Sequence, residues 1–297
     1  MMNFFPVPTR VRSVLSATLI CAAASLLLAT SELSANEEVE FGLLYSVGAR
    51  TTDRFDRGLR KFRTTVRRDV YSISETSGFN RVDTAEIFFR FGGLISPNSY
   101  FGMAVGQYQI PLLRFQEVRS DEVFVSVRSR FELNYFLFQY HYKQYWRRGW
   151  SWEAGMGAGF IPIGYWRTEG RRISALDTLQ TLESTEFNAF QTARFGAISR
   201  LELGLHRMLG DHGFFRTGVR ASYGFVGPFF GTVNDVTGNW YFLDDGSLAL
   251  LSAFEAASSL RNFDHPINGS TTVDIIREKA NVTLGLTELQ FSVGVRF

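Results

Sequence analysis

Cysteine is almost absent from this chain: Cys21 is the only one in 297 residues. No intrachain disulfide can form, so the fold has no covalent staple. Proline is scarce at 7 residues, and beyond the amino-terminal segment no apolar run is long enough to cross a bilayer as a helix. A chain that crosses the membrane several times as helices is therefore not expected. Charge of one sign is also missing, because 31 basic residues face 29 acidic ones, a formal net of +2. Nucleic acid is not expected as a partner, since a nucleic-acid-binding domain is usually strongly basic. Histidines are few and scattered at positions 141, 206, 212 and 265. Metal-ligand spacings and a phosphate-cradling glycine loop are both lacking, so no metal or other cofactor is expected.

What is abundant is aromatic and small: 29 Phe, 11 Tyr and 27 Gly. That mixture favours pleated, half-buried surface over helix. The amino terminus stands apart. Arg10 and Arg12 precede an uncharged segment, Ser13 to Ser31, and small residues lead to Ala35. This reads as a secretory signal over residues 1–35, with 36–297 as the mature chain. An uncleaved anchor and an organelle transit peptide are the alternatives. Cleavage would remove Cys21, two arginines and Glu32, leaving 29 basic and 28 acidic residues.

The mature chain alternates with a period of two. Its last nine residues, Leu289 to Phe297, put Leu289, Phe291, Val293, Val295 and Phe297 on one side and Gln290, Ser292, Gly294 and Arg296 on the other. Similar stretches are Val39 to Ala49, Asp83 to Ile95, Tyr100 to Ile110, Val123 to Tyr142, Trp150 to Ile161, Asn188 to Arg207 and Phe214 to Phe225. On the fourth of these, Phe131, Leu133, Tyr135 and Leu137 form the apolar face, and Arg128, Arg130, Glu132 and Asn134 the polar one. The third stretch has apolar residues on both faces and cannot be oriented. Connections run long, short, long throughout. The short turns lie near Pro97, Gly149 and Gly210, and Pro162 should end or bulge the ladder because it lacks a donor.

The carboxy-terminal strand, ending on Phe297, resembles the terminal strand of bacterial outer-membrane β-barrels. The whole pattern is similar to the small barrels of the OmpX, OmpW and OmpA-barrel kind. The resemblance implies an all-β, antiparallel up-and-down transmembrane barrel with long outer loops, integral to the outer membrane, with both termini periplasmic. It also implies contact with outer-membrane lipids and lipopolysaccharide. Recognition by the barrel-assembly machinery would run through Phe291, Val293, Val295 and Phe297. The strand count and the alternation of turns give eight strands. A hairpin around Asp244, Asp245 and Gly246 would raise it to ten, and the Ala-rich stretch from Leu248 to Leu260 could instead be a short helix.

The polar faces collect Glu86, Arg90, Arg128, Arg130, Glu132, Glu153, Arg194, Arg200, Glu202, Arg216, Arg220, Glu288 and Arg296. An eight-stranded barrel has room inside only for its own side chains. Charges there must pair, because an unpartnered buried ion costs several kcal/mol. The expected lumen is therefore an ion-pair plug in a non-catalytic structural or surface-binding protein. The alternative is a narrow channel for small anions, suggested by eight arginines against five glutamates in this set. A barrel hydrolase is the third reading; it would draw on Asp264 and His265 in an outer loop, whereas His212 beside Asp211 falls in a periplasmic turn.

Two surface features remain. Arg54, Arg57, Arg60, Lys61, Arg63, Arg67 and Arg68 form a basic outer loop in which Phe55, Leu59 and Phe62 recur at helical spacing. Such a loop could meet anionic head groups or a polyanionic surface ligand. Tyr145, Trp146, Trp150 and Trp152 cluster near one end of a hairpin and Tyr165 and Trp166 near the other, as two interfacial girdles would.

Overall fold

The computed structural model describes residues 38–51, 54–60, 73–75, 80–93, 95–118, 123–146, 149–175, 182–193, 195–233, 236–243, 248–251 and 276–297. The expected signal segment lies outside them. In chain order the elements are β1 (Glu38–Arg50), α1 (Arg54–Arg60), β2 (Ile73–Glu75), β3 (Arg81–Gly92), β4 (Ser99–Val118), β5 (Val123–Tyr145) and β6 (Trp150–Ala175). They continue with β7 (Leu182–Ala193), β8 (Gly196–Leu209), β9 (Gly213–Val226), β10 (Phe230–Val233), β11 (Val236–Leu243), β12 (Leu248–Leu251), β13 (Ile276–Lys279) and β14 (Val282–Arg296).

Eight of these strands close on themselves in the order β1, β3, β4, β5, β6, β8, β9, β14. The seam is β1 against β14, antiparallel from Glu40↔Arg296 to Arg50↔Leu286. The terminal residue extends it, because Val39 and Phe297 exchange both backbone hydrogen bonds. Closure leaves no open edge in the wall, which is what a β-structure needs where water cannot satisfy its amides. The hairpin around residues 244–246 exists as β11 paired with β12, but it hangs from β10 and β7 beyond the wall. The barrel therefore has eight strands, not ten. Residues 248–251 are strand, and the rest of the Ala-rich stretch lies outside the described residues.

Three tight turns sit at one end with both ends of the barrel chain. Each carries one left-handed glycine, Gly93, Gly149 or Gly210, with φ between 72° and 84°, a conformation that costs glycine nothing sterically. The turns touch one another and the terminus through Lys143 N–H to Asn98 O, Met208 N–H to Gly149 O and Arg296 N–H to His212 O.

Side chains alternate across the wall as the pleat demands. Glu86, Phe88, Arg90 on β3 and Arg200, Glu202, His206 on β8 are buried, while Leu201, Leu203 and Leu205 are exposed outside. The strand whose facing was ambiguous, β4, buries Tyr100, Ala104 and Tyr108 and turns Phe101, Met103 and Val105 outward. On β5 the expected faces are reversed: Phe131, Leu133, Tyr135 and Leu137 are buried inside, and Arg130, Glu132, Asn134, Phe136 and Phe138 point out. The cause lies in the strand's length. β5 rises past the apolar band, and there the outer surface is polar and the inside of the barrel mouth is apolar. Outward residues from Asn134 to Gln144 bracket that band. At ~3.3 Å per residue and a ~40° tilt this is about 25 Å, the height of a barrel's lipid-facing belt.

Pro162 does bulge the ladder. Phe136 pairs with Phe160 and Asn134 with Ile163, so the inward set on β6 shifts from Glu153 and Ile161 to Gly164 and Trp166. Trp166 thus packs inside the far mouth rather than joining an interfacial girdle, while Trp146 and Trp152 at the turn end are exposed.

Candidate functional site in the barrel lumen

The lumen has two levels. Among the described residues it holds, near the turn end and through the middle, five buried acids, Glu40, Glu86, Glu153, Glu202 and Glu288, and five buried bases, Arg90, Lys143, Arg200, Arg216 and Arg220. Glu153 is the hub of the first cluster. It meets Arg90 at 3.0 Å, Arg216 at 2.9 Å, His141 at 2.7 Å and Lys143 at 3.8 Å. Arg216 also reaches Glu202 at 2.6 Å, and Lys143 pairs with Glu40. The second cluster, above it, is built on Glu86 and Glu288. Arg200 pairs with Glu86 and donates to the Tyr108 hydroxyl at 2.7 Å. Arg220 lies 2.8 Å from Glu288 and 3.3 Å from Glu86. The Ser46 and Thr84 hydroxyls donate to Glu288 Oε1 at 2.7 and 2.6 Å, and the Tyr135 hydroxyl donates at 2.5 Å to Glu86 Oε2, the oxygen that Arg200 and Arg220 also reach.

Glycines on the inner face make the space. A Cβ on Gly106 would land on the Tyr135 phenol, and one on Gly155 would land on the His141 ring. Without a side chain at these two sites, Tyr135 can lie back to Glu86 and His141 can stand against Glu153.

Above the charges the far mouth is closed by aromatics. The helix α1 turns Phe55 inward, fully buried, against Phe131, Trp166 and Phe229 with ring centroids 5.5, 5.2 and 6.3 Å away. Trp240 packs against Trp166 with ring centroids 4.6 Å apart and the rings tilted by 46°. The next helix residue, Asp56, is buried against Arg50 at 2.8 Å, and Arg54 pairs with Glu278. Phe55, from the apolar side of the expected basic loop, is thus spent on the barrel's own mouth, while Phe62 and the Leu59 side chain lie outside the described residues. Arg57 is exposed there; Lys61, Arg63, Arg67 and Arg68 lie outside the described residues, as does the Arg60 side chain.

The residues named from sequence fall into five groups. Glu86, Arg90, Glu153, Arg200, Glu202, Arg216, Arg220 and Glu288 come together in the two clusters. Arg130 and Glu132 do not: they pair with each other at 2.8 Å on the outer wall. Arg296 stands at the turn-end rim, 3.3 Å from the Tyr145 hydroxyl. Arg194 and the Arg128 side chain lie outside the described residues. Phe291, Val293, Val295 and Phe297 are all outward and exposed. Sequence reasoning passed over Glu40, His141, Lys143 and His206. Glu40 shares its parity with Ser46, and His206 with Glu202, so both were within reach. His141 and Lys143 required β5 to be oriented correctly.

Two arrangements invite a chemical reading. His141, Glu153 and Glu202 bring their ligating atoms within 4.8 Å of one another, close enough for a divalent ion. However, the oxygens of Glu153 and Glu202 already receive Arg90 and Arg216, and those guanidiniums would repel a dication. Ser151, His206 and Glu40 form a string with Ser151 Oγ 3.3 Å from His206 Nδ1 and His206 Nε2 3.5 Å from Glu40. All three are sealed at 0% exposure, so a substrate carbonyl has no path to the hydroxyl, and Lys143 already holds Glu40.

No protein-family model matches the sequence, and no curated protein matches it. Among solved structures, the chain is similar to the outer membrane protein OprG from Pseudomonas aeruginosa at 9% identity and a TM-score of 0.30, covering 88% of this chain and 95% of that one. It is also similar to the translocator domain of the autotransporter NalP from Neisseria meningitidis at 8% identity and a TM-score of 0.26, covering 97% of each. In its fold, a closed eight-stranded antiparallel cylinder with an apolar exterior and a charged interior, the chain is consistent with the small outer-membrane barrel proteins.

Proposed function

We propose that this chain is an integral outer-membrane barrel with a sealed lumen, acting as a non-catalytic structural or surface-binding protein. The observation that carries the reading is the pairing inside: five acids meet five bases, all buried, under an aromatic cap. An open aqueous pore would leave such groups hydrated rather than committed to one another. The arginine excess that favoured an anion channel falls away among the described side chains, because Arg130 faces out and Arg296 sits at the rim. The three short turns and both chain ends at one side support periplasmic termini after removal of residues 1–35. The exposed Phe291, Val293, Val295 and Phe297 row is the surface offered to membrane lipid and, during biogenesis, to the assembly machinery.

The test is planar-bilayer conductance of the refolded full-length mature chain. Silent membranes, with the protein shown to be inserted, are the expected result. Steady unitary currents that change when Arg200 is replaced would overturn the sealed lumen.

A further inference from the structure

Two neighbouring residues of α1, Phe55 and Asp56, enter the far mouth together, a ring beside a carboxylate. The walls that receive the ring come from elsewhere in the chain: Phe131 from β5, Trp166 from β6 and Phe229 from the connection between β9 and β10. These three hold one another without the helix. Phe131 and Phe229 are stacked 5.1 Å apart with an interplanar angle of 11°, and Trp166 stands edge-on to both at 6.0 Å. The Trp166 indole donates to Ser129 Oγ at 2.5 Å, which fixes its plane. A preformed aromatic box of this kind suits one flat ring.

The carboxylate has its own seat. Arg50 ends β1, is buried, and lies over the Phe131 ring at 5.6 Å, so β1 and β5 position its guanidinium independently of α1. Asp56 meets it at 2.8 Å. An apolar pair of like volume would hold a permanent lid at least as well, because a buried ion pair barely offsets its own desolvation. An ion pair makes the contact exchangeable instead: a second carboxylate can replace Asp56 at Arg50, and a neutral group cannot without leaving the cation bare. The helix is also lightly held. It is seven residues long, and at the rim Arg54 pairs with Glu278 in a contact exposed to solvent and correspondingly weak.

We infer that the far mouth is a binding site for an aromatic carboxylate, formed by Phe131, Trp166, Phe229 and Arg50, and that Phe55 and Asp56 of α1 fill it as a built-in competitor. The inference rests on the surface-binding reading and names the ligand class for it. The test is calorimetric titration of the refolded mature chain with 3-phenylpropionate. Phe55→Ala/Asp56→Ala vacates the site without touching its walls and is expected to bind at least about tenfold tighter than the wild type, since a tethered competitor lowers apparent affinity by the fraction of time the site stands vacant. Asp56→Asn keeps the ring contacts and is expected to show a smaller gain. In the double variant, 3-phenylpropanamide and octanoate are each expected to bind about tenfold more weakly than 3-phenylpropionate, the first for want of charge and the second for want of a ring. Adding Arg50→Gln should erase the difference between acid and amide. Residues 36–297 contain no cysteine, so a nitroxide on Arg57→Cys, an exposed position of α1, should gain mobility when 3-phenylpropionate saturates the otherwise wild-type chain.

A double variant that inserts, exposes Trp166 to acrylamide and binds no 3-phenylpropionate would overturn the site. Equal binding of the amide or of octanoate would overturn the ligand class, and wild-type affinity equal to that of the double variant would overturn the competitor. Should the double variant fail to insert, Asp56→Asn decides, with an affinity unchanged from wild type counting against the site. Steady unitary currents would overturn the sealed lumen whatever these affinities are.

Discussion

Glu153→Gln is the substitution that probes the lumen most directly. The change keeps shape and removes one charge from the hub where Arg90, Arg216 and His141 converge at 3.0, 2.9 and 2.7 Å. Two buried guanidiniums then share Glu202 and Glu40 with the other bases, and the five-to-five balance is lost. Removing one partner of a buried ion pair costs about 3–5 kcal/mol, mostly from stranding the other. With a urea slope of about 2 kcal/mol/M, the unfolding midpoint in phospholipid vesicles, followed by tryptophan emission, should fall by about 2 M. The neutral double variant Glu153→Leu/Arg216→Leu should recover much of that loss, since it removes both charges together. The resulting coupling between the two sites would be read as a double-mutant cycle. A Glu153→Gln unfolding free energy within about 0.5 kcal/mol of the wild type, the scale of an indifferent surface change, would refute a charge-balanced plug. So would additive single and double variants.

Leu203→Arg should cost about 2–4 kcal/mol in a bilayer, because Leu203 is 59% exposed at the middle of the apolar band; a vesicle unfolding midpoint that does not move would deny the lipid-facing wall. Phe55→Ala should undock α1 from the mouth, and acrylamide quenching of Trp166 and Trp240, now 3% and 1% exposed, should rise while conductance stays silent. Quenching unchanged from wild type would show that Phe55 is not the cap. Gly106→Ala should drive Tyr135 off Glu86 and lower stability by about 1–3 kcal/mol, as overpacking does. A wild-type urea midpoint for that variant would mean the inner face has slack. Phe297→Ala should lower the amount of barrel inserted in cells far more than it lowers the refolded protein's urea midpoint. Equal losses in both would point to a structural role only.

The legible part of the fold was the part governed by one solvent. On β3, β8 and β14 the outer side meets apolar surroundings and the inner side meets charge, so the parity of Ile87 against Glu86, or Leu201 against Arg200, sufficed to orient the strand. β5 misled because it crosses two environments. Phe136 and Phe138 face out within the band, yet six residues earlier Arg130 faces out too, and Phe131 faces in. Hydrophobicity alone cannot distinguish a lipid-facing Phe from one that plugs the mouth. The same ambiguity hid His141 and Lys143, which share the buried face of Phe131.

Alternation, aromatic content and the spacing of turns determined by themselves that the chain forms strands and which end carries the short turns, whereas eight strands rather than ten was decided by closure, which leaves β11 and β12 outside the wall. These are local properties, set by the two-residue pleat and by glycine at left-handed positions. Which base meets which acid was decided only by closure. Arg200 and Glu86, or Arg90 and Glu153, come from strands that are not neighbours in the wall and meet because the cylinder is too narrow to keep them apart. The aromatic cap was likewise a tertiary outcome: α1 finds its place only once Phe131, Trp166 and Phe229 stand around one mouth.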